Sequence, residues 1–318
     1  MTEITHRTVR SAGGLRMHVA EAGTGPLVLL LHGFPESWYA WRHQLVALAE
    51  AGFHAAAPDQ RGYGRTGGPD EVDRYSILHL TGDAIGLVGA LGAEQAVLVG
   101  HDWGAPVAWT AALTRPDVVR GVVGLSVPPY PRGRVRPTEA MRGLYGDSYY
   151  MLHFQQEGPP EAELGRDVPG TFRRLLAGAP VTGSQGLPLV PPGGGFLDVF
   201  GEPAGLPGWV TEADIAFLAS EFEAGGFRRP LHWYRNLDRN WELTAAWDGA
   251  TIRPPALYVV GDKDLVVANP RARAALSNLS EHVPRLRGIQ WLEGAGHWIQ
   301  QERHEEVSQA LIAFLRGL

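Results

Sequence analysis

Residues 96–113 limit what this 318-residue chain can become more than any other stretch. The apolar run Ala96-Val97-Leu98-Val99 leads into Gly100-His101-Asp102-Trp103-Gly104 and then into Ala105-Pro106-Val107-Ala108-Trp109-Thr110-Ala111-Ala112-Leu113. The first run suits a buried strand and the last a helix, so the five residues between them must make a sharp turn. Small residues at both ends of that turn let strand and helix backbones come close, and the residue at its tip is held out at the strand's carboxyl end.

The flanking sequence repeats this alternation. Residues 5–9 and 15–20 read as opening strands, and Leu27-Val28-Leu29-Leu30-Leu31 as a strand buried on both faces. A helix with Glu36 or Ser37 near its start follows, carrying Trp38, Trp41, Leu45 and Leu48 at helical spacing. Strands are expected again at residues 53–57 and 121–127. This order predicts a doubly wound, mostly parallel sheet. Pro128-Pro129-Tyr130-Pro131 then breaks the pattern. Helices are expected over residues 212–222 and 231–247, and over 161–176 with a split at Pro169-Gly170. Residues 177–208, rich in Gly and Pro, read as one long loop of the kind that often covers a site. Strands return at 254–260 and 288–292, before a closing helix. The expected organisation is a core of residues 1–129 and 248–318, interrupted by a helical cap of residues 130–247.

The residue at the tip of the turn, Asp102, sets the chemistry. A serine there would attack carbonyl carbons after activation by a base. A carboxylate, with an ordinary pKa of about 3.9, is already ionised at neutral pH. It can displace a leaving group from a saturated carbon and form an alkyl ester, whose carbonyl water can then attack. A serine alkylated in the same way would become an ether, which water does not readily cleave. The structural alternative is an Asp that caps the following helix; the Gly-x-Asp-x-Gly frame and the partners below favour chemistry.

Hydrolases with such a turn place their partners in the order nucleophile, acid, histidine. The late strand is followed by Gly261-Asp262-Lys263-Asp264 and the last strand by Gly294-Ala295-Gly296-His297-Trp298. Asp264, further into its loop, is the better acid, with Asp262 as second choice. His297 is the candidate base that activates water, and Asp264 would hold its tautomer. His32-Gly33-Phe34-Pro35 directly follows the buried strand. The Phe34 N–H, with the Trp103 N–H, is the candidate oxyanion site.

Together with Asp59-Gln60-Arg61-Gly62-Tyr63-Gly64, the run from His32 to Tyr39, Tyr150-Met151-Leu152-His153-Phe154-Gln155 and Pro230-Leu231-His232-Trp233-Tyr234-Arg235-Asn236, these motifs make the chain resemble the epoxide hydrolases of the α/β-hydrolase fold over nearly its whole length. The resemblance implies that a mostly parallel sheet flanked by helices carries an inserted helical cap. It implies that an epoxide is opened to a vicinal diol through an ester on Asp102, hydrolysed by water that His297 activates. It further implies that two cap tyrosines, Tyr150 and Tyr234, donate to the epoxide oxygen. The adjacent Tyr149 and nearby Tyr145 leave the register of the first tyrosine open. Phe34, Trp103, Met151, His153 and Trp298 are expected to line the substrate pocket. Met151 stands where the family often has Gln, and His153 where an aromatic is frequent. Family members also often have a cis peptide between the residues matching Phe34 and Pro35.

Haloalkane dehalogenases share the Asp and the following Trp, but their halide is expected to need an Asn or a second Trp and no acid; here Phe34 stands where an Asn would often serve, and the cap offers paired tyrosines. Fluoroacetate dehalogenases carry Arg at the position of Trp103. A non-catalytic ligand binder on the same fold would be expected to lack one of the partners found here. No cofactor and no metal are expected, since neither a dinucleotide fingerprint nor a zinc motif is present. The implied partners are a small-molecule epoxide and water, and a homo-oligomer is compatible with the sequence. A net charge of −6 without a basic run argues against nucleic acid and anionic membranes. The chain has no cysteine, and residues 1–23 lack a signal-like apolar segment. The expectation is therefore a soluble, cytoplasmic protein. A basic set that is almost all arginine, with Lys263 the only lysine, suits a bacterial genome rich in GC.

Overall fold

In β3 (Leu27–Leu31) the side chains of Leu27, Leu29 and Leu31 enter one apolar layer and those of Val28 and Leu30 the other. In β5 (Ala96–His101), Ala96 and Leu98 are set against Val97 and Val99 in the same way. A strand buried on both faces needs helices on both, which is why these runs do not alternate with polar residues. The computed structural model describes residues 2–11, 13–179, 187–268, 273–274 and 276–318.

The sheet has eight strands in the order β1-β2-β4-β3-β5-β6-β7-β8. The others are β1 (Thr5–Arg10), β2 (Arg16–Ala22), β4 (His54–Pro58), β6 (Val119–Leu125), β7 (Ala256–Gly261) and β8 (Leu286–Leu292). β2 pairs antiparallel with both of its neighbours, and β4 to β8 pair in parallel through β3. After β3 the chain steps to β4 on one side and then to β5 on the other. The crevice at the carboxyl ends of β3 and β5 is therefore the switch point where open α/β sheets bind ligands. Helices α1 (Arg42–Glu50) and His304–Arg316 supply Leu45, Leu48, Leu311 and Phe314 to one layer. Helices α2 (Ile77–Ala90) and α3 (Gly104–Thr114) cover the other.

Between β6 and β7 the described residues form no strand, only a single bridge between Tyr149 and Leu189. The insert is built from α4 (Pro137–Tyr145), α5 (Tyr150–His153), α6 (Pro159–Gly165), α7 (Val168–Ala177), α8 (Glu212–Gly225), α9 (Arg228–Arg235) and α10 (Leu237–Leu243). Two expectations need correction. The break in 161–176 falls at Arg166-Asp167, not at Pro169-Gly170. Pro169 sits in the first turn of α7, where a missing N–H costs nothing, and Asp167 caps that helix by accepting the Gly170 N–H. Residues 231–247 are not one helix either. They divide at Asn236, whose side-chain amide donates to the carbonyls of His232 and Val72. The expected loop 177–208 contains a 3₁₀ turn at Phe196–Val199, and its residues 180–186 lie outside the described residues.

Hydrogen bonds tie the insert to the sheet. Trp233 Nε1–H donates to the Arg61 carbonyl at 3.0 Å and Trp298 Nε1–H to the Leu175 carbonyl at 3.1 Å. The Tyr39 hydroxyl donates to Asp214 at 2.8 Å. Among the described residues no helix is long and apolar enough to cross a membrane.

Candidate active site

Asp102 follows β5 with φ +48, a left-handed conformation that non-glycine residues rarely adopt. The turn is possible because glycines stand two residues to either side, at Gly100 and Gly104. A Cβ on Gly100 would strike the backbone of Gly104, and one on Gly104 the carbonyl of Leu31. The tip therefore lifts the Asp102 carboxylate over the switch point. Its Oδ1 accepts the Phe34 N–H at 2.8 Å, and its Oδ2 lies 3.5 Å from His297 Nε2. The Phe34–Pro35 peptide is cis. Trp103, whose N–H was the second oxyanion candidate, stands at the start of α3.

Asp264 lies in the turn after β7 and is fully buried. Its Oδ1 accepts the Val266 N–H at 2.9 Å and lies 3.1 Å from His297 Nδ1. Asp262 turns away and accepts the Gly294 N–H. The imidazole of His297 thus bridges Asp102 and Asp264. Burial alone would push its pKa down. The charge of Asp264, the bonds to Asp102 and Asp264 and the charge of Asp102 outweigh that, holding it well above the ordinary 6.5. For Asp102, burial alone would raise the pKa. The bond and charge from His297, the charge of His101 and the Phe34 N–H hold it below the usual carboxylate value.

Two cavities meet at this carboxylate. One, of about 420 Å³, runs past Phe34, Tyr149, Tyr150 and Trp298; the other, of about 610 Å³, runs past Trp103, Thr110 and Asn240. Asp102, Tyr234 and Met151 line both. Tyr150 of α5 and Tyr234 of α9 have ring centres 6.3 Å apart, and Tyr234 packs edge-on against Trp103 and Phe34. Burial first, then for Tyr234 the Asp102 charge and for Tyr150 the neighbouring Tyr149 followed by Asp102, pushes both phenols well above 10, so they stay protonated. Tyr149 lines the smaller cavity from the start of α5.

His153 does not line either cavity, contrary to expectation. Its ring finds a carboxylate elsewhere, with Nε2 3.5 Å from Glu163, on a separate cleft bordered by Arg166, Arg173 and Arg174. Other residues support the site without having been singled out. His101 Nε2–H donates to the His297 carbonyl at 2.8 Å, and its Nδ1 lies 2.8 Å from Glu36, which also accepts the Gly33 N–H. Glu302 accepts the N–H groups of Gly296 and Trp298 on either side of His297. Glu36 belongs to the His32–Tyr39 motif, but nothing in that motif marked its pairing with His101, 65 residues away. Nothing local marked Glu302.

The family described as alpha/beta hydrolase fold matches residues 26–156. Epoxide hydrolase A of Mycobacterium tuberculosis is 46% identical to this chain, covering 99% of it and 98% of the relative. The chain belongs to the epoxide hydrolases of the α/β-hydrolase fold. Epoxide hydrolase 3 of Siraitia grosvenorii is 42% identical, with 99% of both chains covered. Among solved structures, epoxide hydrolase A from Mycobacterium thermoresistibile superposes with a TM-score of 0.93 at 46% identity, again over 99% of both chains. In this epoxide hydrolase chain the carboxylate, imidazole and two phenols face one apolar space. That set can attack a saturated carbon with a carboxylate, protonate an alkoxide and deliver water to an ester.

Proposed function

We propose that this chain hydrolyses epoxides to vicinal diols through an alkyl ester on Asp102. The observation that carries the reading is the Asp102 carboxylate between His297 and a cavity lined by two protonated phenols, Tyr150 and Tyr234. A carboxylate oxygen attacks an oxirane carbon, the C–O bond breaks, and a tyrosine hydroxyl supplies the proton to the departing oxygen. The ester removes the negative charge of Asp102, one of the causes that keep His297 protonated. Its proton returns to the tyrosinate left by ring opening, so the imidazole becomes a base once there is an ester to hydrolyse. His297 Nε2 then takes a proton from water as its oxygen adds to the ester carbonyl carbon. The Phe34 and Trp103 N–H groups would stabilise the oxyanion. Collapse expels the diol, which takes the proton from the imidazolium; the Asp102 carboxyl then passes its own proton to His297, restoring the starting pair, and Asp264 keeps the ring oriented throughout.

In this reading residues 130–247 act as a cap over a core of residues 1–129 and 248–318, and Phe34, Trp103, Met151 and Trp298 line the substrate space. Cavities on both sides of Asp102 favour an epoxide with an apolar substituent on each carbon. A bacterial, cytoplasmic setting is part of the reading; the cysteine-free composition and the bacterial relative support it.

The test is a trap. His297→Gln should react with a disubstituted aryl epoxide once and then stall. Intact-protein mass spectrometry should show one added substrate, and peptide mapping should place it on Asp102. For the parent, one turnover in ¹⁸O-water should give unlabelled diol and a labelled Asp102. Label in the first diol formed would mean direct attack by water and would remove the covalent route.

A further inference from the structure

Among the described residues only two that are not glycine hold a positive φ, Asp102 at +48° and Ser126 at +70°. Both face the same imidazole. Strained backbone of this kind persists where the surroundings over-determine it, and it gathers at working sites. Ser126 directly follows β6, beside the strands that carry Asp102 and Asp264, and it is fully buried. Its N–H donates to the Val259 carbonyl at 3.0 Å, and its own carbonyl accepts the Tyr258 hydroxyl. The Val127 N–H donates to the Leu125 carbonyl across it. These bonds hold the strained turn in place and aim the side chain.

The Ser126 Oγ lies 3.0 Å from His297 Nδ1, as close as Asp264 Oδ1 at 3.1 Å. The Asp264 carboxylate only accepts, so Nδ1 carries the proton. That proton has an acceptor on each side. Asp264 holds the ring through one oxygen alone, because its Oδ2 is buried without a hydrogen-bond partner among the described residues. A ring held at a single acceptor can swing about that contact; two acceptors fix its plane.

We propose that the Ser126 hydroxyl is a positioning group for His297, sharing the Nδ1–H with Asp264 so that Nε2 stays over the carbonyl of the Asp102 ester. The inference rests on the reading of His297 as the base of the second half-reaction. Alkylation does not need that base, whereas hydrolysis of the ester does. Loss of the hydroxyl therefore slows one half-reaction and spares the other.

Two variants separate the hydroxyl from the strain. Ser126→Ala removes the oxygen and keeps a Cβ at positive φ. Ser126→Gly removes the oxygen and relieves the strain. With a disubstituted aryl epoxide, kcat should fall about tenfold in both, the worth of one hydrogen bond to a charged group. The value of kcat/KM, set by alkylation, should stay within about twofold of the parent. The alkylated protein should accumulate in the steady state, as read by intact mass. In ¹⁵N-histidine-labelled protein without substrate, the Nδ1–H resonance of His297 should shift in both variants, because the proton then has Asp264 alone.

An unmoved resonance overturns the proposal whether or not the chain turns over. So does an equal fall of kcat and kcat/KM, or a glycine variant that behaves as the parent while alanine does not. If the parent is never alkylated by the epoxide panel, the hydrolase reading fails, and the resonance alone then decides whether Ser126 holds the ring.

Discussion

Asp102 and His297 each favour the other's charged form, and the pair should be visible in pH dependence. A histidine whose pKa is raised on folding contributes stability that is complete below its unfolded value, 6.5, and is lost as pH rises through the folded value. A carboxylate whose pKa is depressed contributes stability that is complete above 3.8 and is lost as pH falls through the folded value. Both contributions are present between those two limits. Asp102→Asn, close in shape, should abolish turnover; it removes the Asp102 contribution and the part of the His297 contribution that comes from Asp102, leaving the part that comes from Asp264. The gap in Tm between parent and variant should be widest between about pH 4 and 6.5 and narrow on either side. A gap that does not change with pH would show that the two groups are not coupled. In the variant the NMR titration midpoint of His297 should also move down.

The next scale is the pair of helices that bring the phenols together. α5 is a single turn and α9 two turns, and neither would hold its shape alone in water. Their positions come from packing, with Tyr150 on Phe196 and Phe154, and Tyr234 on Phe34, Trp103 and Phe154. In the proposed mechanism the two phenols, on separate elements, both act as acids, which implies partial redundancy. Tyr150→Phe and Tyr234→Phe should each slow epoxide opening, and the double variant should lose about 10²- to 10⁴-fold, the worth of general acid catalysis. Stopped-flow measurement of the single-turnover alkylation rate reads this directly. A double variant no slower than either single one would take the alkoxide's proton source elsewhere. Damage from Tyr149→Phe instead would move the register by one residue.

Across the whole molecule, sheet and insert share one apolar layer. Phe34, Leu98, Trp103 and Ala108 from the sheet side pack in a single cluster with Phe154, Phe172, Phe222 and Tyr234 from the insert. Layers without a seam unfold together, so calorimetry should show one transition whose calorimetric and van't Hoff enthalpies agree. Two resolved transitions would mean that the insert melts on its own.

What could be read from the chain alone follows from range. β3 ends where its apolar run ends, and β5 and α3 meet at Asp102, because strand, turn and helix signals are local and each residue's neighbours in sequence carry them. The order Asp102, Asp264, His297 was legible because each follows a strand of a parallel sheet, and such strands all deliver their carboxyl ends to one edge. The end of α9 at Asn236 needed the structure, since a carbonyl from another segment settles it, whereas the start of α7 is fixed by a local cap, Asp167 on the Gly170 N–H, that the sequence carried. His153 shows the same limit: nothing in its sequence neighbourhood told that its ring faces Glu163 and a separate cleft. Ser126, Glu36 and Glu302 carried no local mark of their part in holding His297. Their partners lie 171, 65 and as few as 4 residues away. Only the folded chain brings such groups within 3 Å, because hydrogen bonds act over distances that sequence separation does not measure.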